Sequence, residues 1–302
     1  MNLSHLHYFT VLAEEGHFSN AAKSLFIARS TLSLAISQLE RELGAPLFTK
    51  NGSAFTLTPY GQEFYRYASL ALQDIETGRR SVAAMMEGDN GTLRLGVPFT
   101  MQNPDWSHMI RDFHEQGDVS PNIEITQGFS EELLHELSVG NLDLSFAAKM
   151  DDAPAGLTYE PYWTHELVLV VNKDNPLASA ESVSMDELKG LKVLSYREGS
   201  PLHDSVKELA EQHEIELEAR FRDEITICSL VSSDKMALGL ATYSFLIPAF
   251  TDVVCIPIEG ISRDFHEEYL VYRSDDSLSG VALRFLEYTK NHPMPKGYLP
   301  RS

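Results

Sequence analysis

The sequence has 302 residues, of which 43% are hydrophobic and 23% are charged, the balance expected of a soluble globular protein. This length exceeds one ordinary hydrophobic core and suits two or three folding units. The longest purely aliphatic run, residues 167–171, is too short to cross a bilayer. The N-terminus lacks the basic stretch and apolar run of a secretory signal, so none is predicted. Because Cys228 and Cys255 lack CxxC spacing, a disulfide scaffold is excluded and the cytoplasm is the expected compartment.

The formal charge of −20 argues at first against a nucleic-acid partner, because polyanions repel each other. The charge is unevenly distributed, however. Residues 1–60 carry four basic and four acidic groups, whereas residues 91–302 carry 17 basic and 35 acidic groups. A neutral N-terminal region followed by an acidic C-terminal region is compatible with DNA binding, although the N-terminal region lacks the excess of basic residues that is usual in DNA-binding domains.

Three short helical patterns open the chain within residues 1–58. The first helix is predicted over residues 3–15, with Asn2 as its N-cap and Gly16 as its terminator. A second, shorter helix is predicted after Ser19, which is a suitable capping residue.

Ser30 is predicted to cap a third helix over residues 31–43. Its apolar residues recur at steps of four and three and form one buried face: Leu32, Ile36, Leu39 and Leu43. Two short strands, at residues 47–50 and 54–57, then flank Asn51-Gly52, a dipeptide typical of hairpin turns. Three helices followed by a hairpin indicate a winged helix-turn-helix, in which the recognition helix enters the major groove of DNA.

The outward face of the third helix is polar. Hydroxyl and amide groups there can hydrogen-bond base edges or phosphates, a leucine can meet a thymine methyl, and flanking cations can reach phosphates. The alternative is that this face is simply solvated, as on any amphipathic helix. The predicted DNA-contacting residues are Arg29, Ser30, Thr31, Ser33, Leu34, Ser37, Gln38 and, at the wing, Lys50.

One long helix is predicted over residues 58–88, with Thr58 as N-cap and Pro59 at its first position. Seven of its residues follow at alternating steps of four and three, the 3.5-residue repeat of a coiled-coil seam. This repeat favours dimerisation over packing of the helix on its own domain, and residues 87–91 are predicted to form a hinge. The seam residues are Phe64, Ala68, Ala71, Ile75, Gly78, Val82 and Met85.

From residue 92 onward, predicted strands and helices alternate, which indicates mostly parallel open sheets. About 210 residues would be large for one such sheet, so two lobes with a cleft are expected. Strands are predicted at residues 92–97, 123–126, 142–147, 167–171, 192–195, 253–258 and 268–273, and the longer helices at 131–139, 202–213, 227–238 and 279–291.

Catalytic and metal-binding patterns are missing from the sequence. It contains no nucleophile elbow, phosphate-binding loop, dinucleotide fingerprint or zinc-protease motif. The eleven histidines lack ligand spacing, so neither a metal nor a cofactor is predicted. Both cysteines have apolar neighbours, which favours buried thiols over a redox switch. The chain is therefore predicted not to be an enzyme.

Residues 1–66 resemble the head of LysR-type transcriptional regulators. The matching motifs are Leu6-x-x-Phe9, Ala13-Glu14-Glu15-Gly16-His17-Phe18, Ala21-Ala22-x-x-Leu25, Leu39-Glu40-x-x-Leu43-Gly44-x-x-Leu47-Phe48 and Leu57-Thr58-Pro59-x-Gly61. The remaining residues are similar to the family more loosely, in Gly96-Val97, Gly140-Asn141-Leu142-Asp143-Leu144, Asn175-Pro176-Leu177-Ala178 and Ala237-Leu238-Gly239-Leu240.

The resemblance implies an α/β protein in three parts. These are a winged helix-turn-helix DNA-binding domain (residues 1–58), a dimerisation linker helix (59–88) and a two-lobed effector domain resembling periplasmic binding proteins (89–302). Lobe I is expected at about residues 91–162 and 268–302, and lobe II at about 163–267.

The resemblance also implies partners. These are double-stranded DNA, a small-molecule effector for which a small organic anion is one candidate, and further copies of the chain in a homodimer or homotetramer. No membrane partner is expected. The alternative is a metabolite-binding module with degraded DNA affinity that acts through protein contacts.

By the same resemblance, seven residues are expected to face the effector cleft. Hydroxyls and free amides at helix N-termini bind anions, and an arginine can pair with a carboxylate. The alternative for the hydroxyl residues is that they merely cap helices. The seven residues are Thr100, Met101, Ser130, Tyr196, Arg197, His203 and Thr226.

The DNA-facing residues depart from the family pattern. The family usually has glutamine and then proline before the recognition helix, where this chain has Arg29 and Ser30. An arginine that commonly follows the helix serine is Leu34 here, and the arginine of the wing is Lys50, a point charge rather than a bidentate fork. These differences predict an unusual operator sequence or weak affinity.

Overall fold

The computed structural model describes residues 1–51, 54–87, 91–101, 103–116, 121–274 and 278–300, without the side chains of residues 51, 80, 81, 84, 85 and 87. The chain divides into two compact units, Met1–Ala83 and Ala84–Ser302. The first unit contains α1 (Leu3–Glu15), α2 (Phe18–Ser24), α3 (Arg29–Leu43), β1 (Phe48–Asn51), β2 (Ala54–Leu57) and most of α4 (Pro59–Glu87).

Helix α1 begins and ends at the residues that its caps predict. The side chain of Asn2 accepts a hydrogen bond from the His5 amide at 2.8 Å, and Gly16 ends the helix with a left-handed φ of 67°. Helices α2 and α3 begin earlier than predicted, at residues 18 and 29, because the chain turns inward after extended N-cap residues without side-chain caps. The predictions that Ser19 caps α2 and that Ser30 caps α3 are therefore wrong, since His17 and Ala28 occupy those positions.

The core of the first unit is aromatic and aliphatic. Phe9 is fully buried, and its ring lies 5.5 Å from that of Phe48 and 5.3 Å from that of Phe64. The predicted buried face of α3 is confirmed except at its end: Leu43 is 39% exposed, whereas Ala35 is buried. The first turns of α4 belong to this core, because Phe64 packs against it and Ala68 is 2% exposed.

Strands β1 and β2 form an antiparallel hairpin in which Asn51 pairs with Ala54. The predicted turn at Gly52 lies outside the described residues, as do the hinge residues 88–90 and the side chain of Met85. Helix α4 begins as predicted: the Thr58 hydroxyl accepts a hydrogen bond from the Gly61 amide at 3.0 Å, and Pro59 is the first helical residue.

Gly61 lies where α4 meets β1, and no side chain fits there. A Cβ atom on Gly61 would lie 2.1 Å from the Leu47 carbonyl oxygen, which is backbone and cannot rotate away. We expect Gly61→Ala to lower the free energy of unfolding by about 1–3 kcal/mol in urea titrations. Gln62→Ala, at the next and exposed position, should change it by less than about 0.5 kcal/mol. Equal stability of the two variants would contradict the close approach.

The second unit contains two five-stranded sheets. Lobe I has the strand order β4-β3-β5-β12-β6, and lobe II has the order β11-β7-β10-β8-β9. Their strands are β3 (Thr92–Pro98), β4 (Asn122–Gly128), β5 (Leu144–Ala147), β6 (Leu157–His165), β7 (Leu167–Asn172), β8 (Lys192–Tyr196), β9 (Glu216–Phe221), β10 (Leu238–Thr242), β11 (Val253–Pro257) and β12 (His266–Arg273). The helices are α5 (Pro104–Glu115), α6 (Ser130–Ser138), α7 (His203–Gln212), α8 (Glu224–Ser233) and α9 (Gly280–Asn291), and short 3-10 turns cover Phe99–Met101, Pro176–Ser179, Met185–Leu188 and Ile247–Ala249.

The prediction of mostly parallel sheets is wrong, because half of the strand pairs are antiparallel. In lobe I, β3 pairs in parallel with β4 and β5, whereas β12 runs antiparallel to β5 and β6. In lobe II, β8 pairs in parallel with β9 and β10, whereas β7 runs antiparallel to β10 and β11. The antiparallel strands are those that carry the chain from one lobe to the other.

The chain crosses between the lobes twice, after β6 and after β11, and C-terminal residues hold both crossings. The Trp163 indole donates a hydrogen bond to the Pro295 carbonyl at 2.6 Å, and the Glu166 amide donates one to the Gly297 carbonyl at 3.0 Å. At the second crossing, the Lys296 ammonium lies 2.8 Å from the Asp264 carboxylate. None of the described helices is both long and apolar enough to cross a membrane.

Candidate functional site

The outward face of α3 is accessible along its whole length. All eight residues predicted to contact DNA are exposed: Arg29, Ser30, Thr31, Ser33, Leu34, Ser37, Gln38 and Lys50. The N-terminus of α3 has no capping side chain and no acidic residue in its first turn, so its free amides remain available to an anion.

A cavity of about 420 Å³ lies between the two lobes of the second unit. It is lined by residues that follow the carboxyl ends of β3 and β4 in lobe I and of β8 and β9 in lobe II. Ligands of open α/β sheets bind outside these strand ends, because the loops there face the gap and helix N-termini point into it. The cavity is therefore the candidate binding site of this unit.

Five of the seven residues predicted to face the cleft line this cavity: Thr100, Ser130, Tyr196, Arg197 and Thr226. Met101 does not, because its side chain is fully buried in the core of lobe I. His203 does not line it either, because it turns inward and its Nδ1 lies 2.8 Å from the Tyr196 carbonyl oxygen. Both predictions are wrong because these side chains point into the protein, Met101 from the last residue of the 3-10 turn after β3 and His203 from the first residue of α7.

Thr100, Ser130 and Thr226, the three predicted serine and threonine residues that line the cavity, do not serve as helix caps. Thr100 donates a hydrogen bond to Glu268 at 3.0 Å, and Ser130 accepts one from the Ala148 amide at 3.1 Å. The N-cap of α8 is Asp223, whose carboxylate accepts from the Thr226 amide at 2.6 Å. Capping therefore does not account for the presence of these hydroxyls.

The buried end of the cavity contains an ion pair. His165 is fully buried and Glu268 is 3% exposed, and His165 Nε2 lies 3.6 Å from Glu268 Oε1. Burial opposes the charge of each group, but the neighbouring opposite charge prevails, so the pKa of His165 is raised and that of Glu268 is lowered. The Tyr243 carbonyl accepts from His165 Nδ1 at 3.0 Å, which orients the ring.

Two further titratable groups line the same end of the cavity. Burial raises the pKa of Glu224, which favours its neutral form. Burial, together with the positive charge of His165, lowers the pKa of His266 to about 4, so this imidazole is uncharged at neutral pH. The buried end of the cavity therefore has little net charge.

Two arginines, Arg197 and Arg222, line the more exposed side of the cavity. Arg222 reaches from lobe II to lobe I, where its guanidinium lies 2.9 Å from the Glu132 carboxylate and 3.9 Å from the centre of the Phe129 ring. Arg197 donates a hydrogen bond to the Glu198 carbonyl, and no carboxylate of the described residues lies within 4.0 Å of it. Arg197 is thus a cation available to an anionic ligand.

Sequence reasoning did not identify His165, Glu224 and Glu268 as site residues. His165 ends β6, a strand whose polar residues and internal proline give no clear strand pattern. Glu268 lies in the run His266-Glu267-Glu268, which resembles the start of a zinc motif without its second histidine. No group of three or more candidate ligands within the described ranges is placed to hold a metal ion.

The two cysteines lie close together in lobe II, and both are free thiols. Burial raises the pKa of both, that of Cys255 to about 12, so neither forms a thiolate readily. We expect Ellman's reagent at pH 8 to react with the folded protein about 100-fold more slowly than with the denatured chain. Rapid labelling of either cysteine in the folded protein would contradict this prediction.

Family comparisons cover both units. Residues 3–62 match the family "Bacterial regulatory helix-turn-helix protein, lysR family", and residues 86–293 match the "LysR substrate binding domain". The chain is 32% identical over 226 residues to the uncharacterized HTH-type transcriptional regulator YybE of Bacillus subtilis, covering 74% of this chain and 76% of YybE.

Solved structures share the fold over the same range. Full-length CbnR in complex with its target DNA superposes with a TM-score of 0.71 at 20% identity, covering 96% of this chain and 99% of CbnR. The effector binding domain of QuiR in complex with shikimate superposes with a TM-score of 0.61 at 17% identity, covering 68% of this chain and all of that domain. The fold of both units is thus shared with full-length CbnR, and the fold of the second unit is also shared with the QuiR domain.

Proposed function

Because the chain belongs to the LysR family of bacterial helix-turn-helix regulators, we propose that α3 binds double-stranded DNA and that a small carboxylate in the interlobe cavity controls this binding. One observation carries the proposal: the chain combines an exposed, polar recognition face with a separate cavity lined by Arg197, which forms no ion pair within 4.0 Å among the described residues. The relatives are transcriptional regulators, so we assign no enzymatic reaction to the cavity. A regulator of chromosomal genes acts in the cytoplasm.

On the DNA side, each group has a distinct role. Arg29 and Lys50 would neutralise phosphates, and the free amides at the start of α3 would hold one phosphate oxygen. Ser33, Ser37 and Gln38 would reach base edges from the exposed face, with Leu34 beside them for a thymine methyl. Ser30 and Thr31 lie in the first turn and would contact the backbone.

On the ligand side, Arg197 would pair with the carboxylate of the effector, while Thr100, Ser130, Tyr196 and Thr226 would border it. The effector binding domain of QuiR, which shares the fold of the second unit, is solved in complex with shikimate, which is a small carboxylate. Closing the lobes on the ligand would change the shape of the second unit, which is how binding of the effector would be signalled.

Dimerisation would use the exposed part of α4. Of the predicted seam, Ile75 is 42% and Val82 is 59% exposed, whereas Phe64 and Ala68 pack into the core of the first unit. We therefore place the contact between subunits from Ala71 onward, at Ala71, Ile75 and Val82. A homodimer, or a homotetramer built from two such dimers, would present paired recognition helices.

Footprinting tests the proposal. DNase I protection of the upstream region of the protein's own gene should show two half-sites about one helical turn, or a multiple of it, apart. The alternative function is a metabolite-binding module with degraded DNA affinity. Absence of any protected site at 100 mM salt, with a fully folded protein, would favour that alternative over the regulator.

A further inference from the structure

The carboxylate of Glu268 has one oxygen, Oε2, that accepts no hydrogen bond from the described residues. Thr100 donates to Oε1 at 3.0 Å, and His165 Nε2 also lies nearest Oε1, at 3.6 Å. Glu268 lines the cavity, and its Oε2 is buried and has no hydrogen-bond partner among the described residues. A buried carboxylate oxygen without a donor is costly, so the site is built to receive one.

The donor that fits this oxygen is neutral. The His165 imidazolium already balances the charge of Glu268, and burial favours the neutral form of the nearby Glu224. An ammonium group bound there would lie close to the His165 cation and would lose its hydration without a free countercharge. A hydroxyl group donates one hydrogen bond, needs no countercharge and loses less on desolvation.

Resting on the proposed function, we infer that the effector is a hydroxylated carboxylate: its carboxylate pairs with Arg197, and a hydroxyl at its other end donates to Oε2 of Glu268. The two protein groups suit these places because Glu268 and His165 lie at the buried end of the cavity, whereas Arg197 is partly exposed. The carbon skeleton between them packs against apolar lining residues, namely Phe99, Phe129, Pro201, Leu202 and Leu246.

Matched ligand sets test this inference on the full-length wild-type protein. Each set shares one skeleton and differs only in the group distal to the carboxylate: butanoate, 4-hydroxybutanoate and 4-aminobutanoate; hexanoate, 6-hydroxyhexanoate and 6-aminohexanoate; 4-methylbenzoate, 4-(hydroxymethyl)benzoate and 4-(aminomethyl)benzoate. Isothermal titration calorimetry gives Kd for every member. In at least one set, the hydroxy acid should bind about tenfold or more tightly than its parent acid.

Variants show whether Glu268 is responsible. Glu268→Gln keeps the shape but removes the charge of the acceptor, so the preference for the hydroxy acid should fall several-fold. Glu267→Gln changes the neighbouring carboxylate, which is exposed on the other face of β12, and should leave the preference unchanged. Urea unfolding of each variant confirms that it is folded before Kd values are compared.

Three results would overturn the inference. Parent acids that bind as tightly as their hydroxy acids in every set would mean that Oε2 binds only water. Tightest binding of the amino acids would assign the site to a cation, and an unchanged preference in Glu268→Gln would remove Glu268 from it. A measured hydroxyl preference together with a failed DNA footprint would refute only the regulator, whereas no binding of any acid would refute the carboxylate site itself.

Discussion

Replacing Glu268 with leucine is expected to lower the free energy of unfolding at pH 7 by about 3–5 kcal/mol. The substitution leaves His165 fully buried without the carboxylate that lies 3.6 Å from its Nε2. Removing one member of a buried pair costs more than the pair contributes, because the remaining charge loses its compensation. Urea unfolding followed by far-UV circular dichroism measures the loss.

The double variant Glu268→Leu/His165→Leu separates the pair from the packing. Apolar replacement of both partners is often neutral, so the double variant should recover at least half of the stability that Glu268→Leu loses. Glu267→Gln is the control, since this exposed neighbour keeps an acceptor for the Tyr269 hydroxyl and should change stability by less than about 1 kcal/mol. A double variant less stable than Glu268→Leu would contradict the ion pair.

The loss should depend on pH in a defined direction. The folded-state pKa of His165 is raised by Glu268, so its contribution is present below the ordinary histidine pKa and disappears as pH rises through the raised value. The folded-state pKa of Glu268 is lowered by His165, so its contribution is present above the ordinary glutamate pKa and disappears as pH falls through the lowered value. The difference between wild type and the double variant should therefore be most favourable to wild type between these two pKa values.

A carboxylate on the exposed face of α4 is expected to abolish dimerisation. Ile75 and Val82 are 42% and 59% exposed within one subunit and lie seven residues apart on the same side of the helix. Ile75→Asp/Val82→Asp would place two carboxylates in an apolar seam. Association of the subunits would then have to bury these charges without partners, which costs more free energy than the seam can supply. Sedimentation velocity at 10 μM should show a monomer, and affinity for DNA with two half-sites should fall by about 100-fold or more.

The control places an aspartate on the side of α4 opposite the seam. Gln73→Asp lies about half a turn away from Ile75 and Val82, so it should keep both the oligomer and the DNA affinity. An Ile75→Asp/Val82→Asp protein that sediments like wild type would move the contact between subunits elsewhere. The surfaces of the two lobes would then be tested next for the contact between subunits.

The helices of the first unit were predictable because the sequence patterns that define them, caps and apolar periodicity, involve residues close together in the chain. Side-chain caps at Asn2 and Thr58 fix where α1 and α4 begin, and both predictions are confirmed. Where no side chain caps the helix, as at Ala28, the start of α3 depends on packing of the preceding turn, and the prediction missed it by two residues. Leu43 follows the helical repeat but lies beyond the last contact with the core, so periodicity alone overstated its burial.

The sheets and the cavity were less predictable because they depend on long-range pairing. β10 follows α8 with few breaking residues between them, and the sequence pattern extended the helix into it. β6 and β9 carry alternating polar residues on partly exposed positions, which obscures them. Since His165 and Glu268 are 103 residues apart and meet only through pairing of β6 with β12, no local pattern predicts their contact.

Fluorescence anisotropy with two DNA duplexes tests the central claim most directly. One duplex carries the footprinted upstream site and the other a scrambled sequence of the same composition, each titrated between 50 and 200 mM salt. The wild-type protein should bind the first about 10³-fold more tightly. Arg29→Ala should weaken binding to both duplexes and reduce the salt dependence, whereas Gln38→Ala should reduce the preference about tenfold or more. Equal affinity for the two duplexes, or an α3 face whose variants bind like wild type, would contradict the account.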